Sequence, residues 1–105
     1  MLEVNETKRF LKDLVKVSKS SKPSTLKTIK ENLKEALKYI VAQKPLPPEY
    51  RDHKMDRAYL GYRNCHILGD VVLVYQVDQE NSTVNLNRIG SHSVLGLTEE
   101  YIKIG

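Results

Sequence analysis

The 105-residue sequence has a single cysteine, Cys65. An internal disulfide is thereby excluded, and a lone thiol fits a reducing cytosol. No run approaches the roughly 20 apolar residues of a membrane span. The opening stretch MLEVNETKRF carries no apolar signal core. The expectation is a soluble, cytoplasmic protein with no membrane partner. Glycine-rich phosphate loops and paired-cysteine zinc spacings are absent, and no two histidines stand at short helical spacing. No cofactor is therefore expected, and a metal site would exist only if the fold itself gathered the histidines. There is no internal repeat and no low-complexity segment.

What is present reads as one domain with a modest core, 40% hydrophobic and 29% charged. Lys plus Arg outnumber Asp plus Glu by 17 to 13, giving a net charge of +4. That balance suggests an anionic partner without proving one.

The first half is helical in pattern. Leu2 and Val4 allow a brief strand, Asn5 is a candidate cap, and Phe10, Leu14 and Val17 repeat at helical spacing with Leu11 and Val15 beside them. SKSSKP (Ser18 to Pro23) breaks the pattern. Ser24 is a second candidate cap. Leu26, Ile29, Leu33, Leu37 and Ile40, widened by Ala36 and Val41, then predict a helix that ends near Gln43. Lys8, Lys12, Lys16 and Lys19 line the outside of the first helix. Lys27, Lys30, Lys34 and Lys38 line the second, with Glu31 and Glu35 among them. Each row reads either as a solvated, salt-bridged face or as a phosphate-contacting surface. PLPP (Pro45 to Pro48) forms a stiff connector, because proline lacks the amide that continues a helix.

The second half changes period. Leu60, Tyr62, Asn64, His66 and Leu68 share one face of a strand predicted over Tyr59 to Leu68. Gly69-Asp70 suits a two-residue hairpin turn, and Val71 to Val77 is apolar enough to be covered on both faces. Asp78 to Ser82 is a turn, Val84 to Ile89 alternates with Asn85 and Asn87, and Thr98 is positioned to cap a short last helix through Lys103. The prediction is an α+β domain: two amphipathic helices against an antiparallel meander.

All three histidines, His53, His66 and His92, fall between Tyr50 and Gly96. With Arg63, Arg88 and Asp70 they make a candidate acid–base site for a phosphodiester. Imidazole takes and gives protons near neutral pH, and a guanidinium can hold the negative charge that builds on phosphorus. Plainer readings stand beside this one. A surface histidine can be idle, Asp70 can be only a turn residue, and His92 only a loop residue. Arg88, which follows Val84 and Leu86 in parity, can be a partly buried structural arginine, and Cys65 a small buried filler.

Four pieces of this stretch, LPPEYRDH (Leu46 to His53), GYRNCH (Gly61 to His66), GDVVLVY (Gly69 to Tyr75) and RIGSHSVL (Arg88 to Leu95), resemble the YafQ branch of the RelE toxin superfamily in order and spacing. The resemblance implies the toxin of a toxin–antitoxin pair, a metal-independent endoribonuclease that enters the ribosome and cuts mRNA by attack of the 2′-hydroxyl. By matching position it implies catalytic places for His53, His66, Asp70 and His92, with His53 as base and His92 as acid. It further implies phosphate or RNA contacts for Arg88, Arg63 and Tyr59, and a cognate antitoxin as partner. Two positions depart from the family pattern. Asn64 stands where the family often has Asp, and Gly96 where it has an aromatic, with Tyr101 as a conceivable substitute. The alternatives are a toxin of the same fold that blocks DNA gyrase by binding, and a plain RNA-binding module.

Overall fold

The computed structural model describes residues 1–97. The chain runs β1 (Glu3–Glu6), α1 (Lys8–Ser20), α2 (Pro23–Val41), β2 (His53–Lys54), β3 (Arg63–Leu68), β4 (Val71–Asp78), β5 (Thr83–Ser91) and α3 (His92–Leu95). Single 3-10 turns at Pro48–Tyr50 and Arg57–Tyr59 bracket β2. The strands form one sheet in the order β1-β5-β4-β3-β2. Every pairing is antiparallel except that of β1 with β5. This is the expected α+β architecture: the brief strand allowed near Leu2 and Val4 joins the meander as a parallel edge, and β2, which the sequence did not predict, adds the other edge.

Alternation along the strands divides the core in two. Cys65, Ile67, Leu73, Tyr75, Val84, Leu86 and Ile89 face the helices and pack with Phe10, Val17, Ile29, Leu33, Ala36 and Ile40. On the other face Val72 and Val74 pack with Met55, Leu95 and Leu97, and with the partly buried Tyr59 and Tyr62. The central strand β4 is thus covered on both sides, as its apolar run requires. Each fully buried Val or Leu there is worth about 1.5–3 kcal/mol of burial.

Several local expectations change. Thr7, not Asn5, caps α1: its hydroxyl accepts from the Phe10 amide at 3.2 Å. Asn5 is drawn into β1, where its side chain donates to Asn85 at 2.8 Å. Leu11 and Val15 lie outside the buried stripe, 44% and 52% exposed, and Asp13 is buried between Phe10 and Val17 instead. The α2 helix begins at Pro23, one residue before Ser24, with no side-chain cap bond. Proline is tolerated there because the first-turn amide would have no helical acceptor. β3 starts at Arg63, not Tyr59, because the chain first makes the Arg57–Tyr59 turn and then bends at Gly61, φ +94°. The Gly69-Asp70 hairpin is as expected, with Gly69 at φ +57° and Leu68 paired to Val71. The predicted helix from Thr98 to Lys103, and Tyr101 with it, lies outside the described residues. A short helix comes earlier, at His92–Leu95, capped by Ser91 and closed by Gly96 at φ +70°.

The lysine rows are exposed, but not salt-bridged as one reading had it. The two ion pairs among the described residues are Arg63–Asp52 and Arg88–Asp13, so Glu31 and Glu35 pair with none of the helix lysines.

Candidate active site

Three separate elements bring the histidines together on the sheet face away from the helices. His53 opens β2 and pairs in register with Asn64 of β3. His66 lies two residues further along β3, opposite Val72. His92 opens α3, which the Ser91 cap turns back over the end of β5. His66 occupies the middle, its ring centre 6.3 Å from that of His53 and 5.2 Å from that of His92.

The bonds at each ring constrain its chemistry. His53 Nδ1 contacts the Arg51 carbonyl. A carbonyl can only accept, so Nδ1 carries the proton, and Nε2 of a neutral His53 keeps its lone pair. That Nε2 is buried, without a hydrogen-bond partner among the described residues. His66 Nδ1 donates in the same way to the Gly69 carbonyl, at 3.4 Å. Burial lowers the His66 pKa below its ordinary value. The charges of His92, Arg51 and His53 lower it further, against the Gly69 carbonyl, which raises it. Burial first, and neighbouring positive charge second, thus disfavour the protonated form of His66. Beside it a cleft of about 500 Å³ opens between α2 and β3, bordered by Asn32, Glu35, Arg51 and Gly69. Asn32 fastens the back of this cleft, donating to the Ile67 carbonyl at 2.8 Å where β3 shifts register.

Asn64 is fully buried next to His53 in the sheet, and neither its amide nitrogen nor its oxygen has a partner among the described residues. Asp70 is exposed on the hairpin, one residue before Val71, which pairs with Ser91. It therefore approaches the start of α3 but makes no bond to a histidine in the described structure. Tyr59 packs edge-on against Tyr62, with ring centres 6.1 Å apart, and its hydroxyl stands next to the Arg88 guanidinium.

Both candidate arginines are engaged. A bulge at Asn87 changes the parity of β5: Leu86 pairs with Tyr75, but Arg88 pairs with Val74. Arg88 therefore does not follow Val84 and Leu86 toward the helices. It shares the face of Val74 and reaches Asp13 of α1, with Nε at 2.6 Å and Nη2 at 3.1 Å. Asp13 also accepts from the Ile89 amide at 3.2 Å. That amide lies on β5 beyond the last residue paired to β1. Arg63 is not brought to the histidines. It pairs with Tyr75, on the helix-facing side, and binds Asp52 through Nε at 3.1 Å and Nη2 at 2.8 Å. Asp13 and Asp52 escaped the sequence reading. The signals were a lone acid inside an apolar helical stripe and an acid immediately before a candidate histidine.

Among the described residues no three His, Cys, Asp or Glu side chains are grouped to hold a metal ion. No helix among them is long and apolar enough to cross a membrane.

Comparison places this helix-backed sheet among the toxins of type II toxin–antitoxin systems. Residues 2–96 match the family described as a bacterial toxin of type II toxin-antitoxin system, YafQ. A Haemophilus influenzae protein that carries the YafQ toxin name is 36% identical over 98 residues, covering 91% of this chain and 93% of that one. The Escherichia coli K12 protein named mRNA interferase toxin YafQ is 33% identical over 51 residues, which is 49% of this chain and 53% of its own length. In structure, the chain resembles a copper-bound mutant toxin from Helicobacter pylori, with TM-score 0.77 and 34% identity over 90% of this chain and 99% of that one. It also resembles the Escherichia coli DinJ-YafQ complex, with TM-score 0.73 and 25% identity over 90% and 98% of the two chains. The chain belongs to the YafQ family of bacterial toxins of type II toxin–antitoxin systems.

Proposed function

We propose that this toxin is an endoribonuclease that cuts mRNA on the ribosome, using its histidines to move protons while the RNA 2′-hydroxyl attacks the adjacent phosphorus. The observation that carries the reading is the histidine row, with His53 and His92 on either side of a neutral His66. In-line displacement at phosphorus needs a base at the attacking oxygen and an acid at the leaving oxygen on the opposite side, so two imidazoles flanking a third fit the geometry. His53 is the base: its Nδ1–H is committed to the Arg51 carbonyl, and Nε2 takes the 2′-hydroxyl proton. His92 is the acid for the 5′-oxygen. His66 and Asp70 line the path between them, and Tyr59 offers a face on which a base can stack. Arg88 is the phosphate-stabilising guanidinium. Asp13 takes two of the five Arg88 N–H donors and the Tyr59 hydroxyl stands beside the guanidinium, so the phosphate is held by the donors that remain.

The attacking group belongs to the RNA, so the reaction needs no metal. The positive charge of Arg51 beside His66 supports that reading, since it opposes a cation and attracts a phosphate. The exposed lysine rows of α1 and α2 extend the favourable field along the RNA path. The same charge suits an acidic segment of a cognate antitoxin, as the Escherichia coli relative is found in a DinJ-YafQ toxin-antitoxin complex. The site of action is the cytoplasm, where ribosomes and mRNA meet.

Induced expression of the chain should arrest growth by stopping protein synthesis, and His92→Gln should relieve the arrest. Unchanged protein synthesis with disturbed DNA topology would replace this reading with gyrase inhibition by binding.

A further inference from the structure

We propose that Asp52, Arg63 and Tyr75 form a clamp that positions His53; the inference rests on the reading of His53 as general base. β2 is an edge strand of two residues, and only His53–Asn64 and Lys54–Arg63 pair across to β3. So short a strand cannot place a catalytic ring by backbone bonds alone. Two residues before it Arg51 adopts the left-handed region, φ +45°. That conformation is uncommon for a residue with a side chain and persists only where the surroundings hold it.

The hold comes from Asp52. Its Oδ2 accepts from Arg63 Nε at 3.1 Å and Nη2 at 2.8 Å, and its Oδ1 accepts from the Tyr75 hydroxyl at 2.5 Å. Arg63 and Tyr75 are register partners on β3 and β4, and Tyr75 is 2% exposed, so both donors stand on rigid sheet. Asp52 turns toward the helix-facing side and His53 toward the other, so fixing one side chain fixes the direction of the next. The Arg51 carbonyl, one residue upstream of the pinned carboxylate, then sets the His53 tautomer. Both donors keep their protons across the working pH range. Burial and the Asp52 carboxylate push the Tyr75 hydroxyl far up. Burial works against the Arg63 charge, but Asp52 more than offsets it.

Arg63 is thereby a positioning residue rather than a phosphate contact, and the two roles predict different outcomes. The test is single-turnover cleavage of mRNA on programmed ribosomes, over a range of toxin concentration, by Asp52→Asn, Tyr75→Phe, Arg63→Gln and Arg63→Lys. The chemical shifts of the His53 ring nitrogens are recorded on each free protein. A displacement of about 1 Å at a reacting group costs on the order of 10²-fold in rate. Asp52→Asn and Arg63→Gln should therefore lose roughly that factor in maximal rate, with half-saturation little changed. Tyr75→Phe, which removes one hydroxyl, should lose less and will fold if the acid variant does not. Adding it to Asp52→Asn should cost nothing more, since both break one network. Arg63→Lys should recover part of the rate, and the His53 nitrogen shifts should move toward a mixture of tautomers in every slowed variant. Loss confined to the Arg63 variants, with full activity in Asp52→Asn and Tyr75→Phe, would overturn the clamp in favour of direct phosphate contact. Slowed variants with unaltered His53 shifts would also overturn it. Full activity in His53→Ala would instead remove the base assignment, and the clamp's purpose with it.

Discussion

The Asp13–Arg88 pair permits a quantitative prediction. Asp13 is 5% exposed and accepts three hydrogen bonds, from Arg88 Nε and Nη2 and from the Ile89 amide. The Arg88 side chain is itself only 13% exposed. Asp13→Ala leaves a largely buried guanidinium without its counter-charge and orphans the Ile89 amide. Breaking one side of such a pair costs about 3–5 kcal/mol. A domain of this size has about 5–15 kcal/mol in total, so the loss is a large share of its stability. At about 4–8 °C per kcal/mol, melting should fall by at least ~12 °C. Replacing both partners by apolar residues of similar volume, Asp13→Leu with Arg88→Met, removes the stranded charge as well as the bond. The double variant should therefore recover much of the loss. Urea unfolding followed by circular dichroism, with the m-value checked for constancy, measures all three proteins. A loss below about 1 kcal/mol in Asp13→Ala would refute the reasoning, as would a double variant no more stable than Asp13→Ala. The position also bears on function, because Asp13 grips β5 three residues before His92.

Other consequences follow from single sites. The fold holds His66 below its ordinary pKa, so the unfolded chain takes up that proton first. Stability should fall as pH drops from about 7 to 5, through the ordinary histidine value near 6.5, and His66→Gln should flatten that slope in urea titrations at each pH. Cys65 is fully buried, and burial together with the Asp52 charge pushes its thiol far up. Alkylation should thus proceed only at the rate of unfolding, and fast labelling of native protein would contradict its placement. Asn64 carries no charge and can take no proton, and its amide is unpartnered among the described residues. Its replacement by Ala should slow cleavage by less than about tenfold, while His53→Ala should cost on the order of 10²–10⁴-fold; equal losses would show that the base is misassigned.

The helices and β4 were legible because their patterns are local. Ile29, Leu33, Ala36 and Ile40 are buried at the spacing that the sequence shows, and Gly69 takes the positive φ that its turn demands. Asn5 and Thr7 were not distinguishable as caps, because β1 pairs with a strand some eighty residues away and claims Asn5 for the sheet. The parity of Arg88 failed for a similar reason: the bulge at Asn87 is set by pairing with β4, which no local pattern announces. For the site, type and rough location of the histidines were readable, but their convergence was not. It depends on a two-residue edge strand, on the middle of β3, and on a four-residue helix begun by Ser91. Arg63 shows the limit most clearly. Its neighbours GYRNCH suggest a site residue, yet strand alternation turns it to the opposite face, where its acid is Asp52.

The most direct test of the central claim uses the ribosome itself, programmed with mRNA bearing a single 2′-deoxy sugar at the cut. If the 2′-hydroxyl attacks while His53 and His92 move the protons, that message should remain intact. The all-ribose message should be cut to a 2′,3′-cyclic or 3′-phosphate and a 5′-hydroxyl. Undiminished cleavage of the 2′-deoxy message would contradict the mechanism, because a nucleophile other than the RNA's own hydroxyl would then be at work.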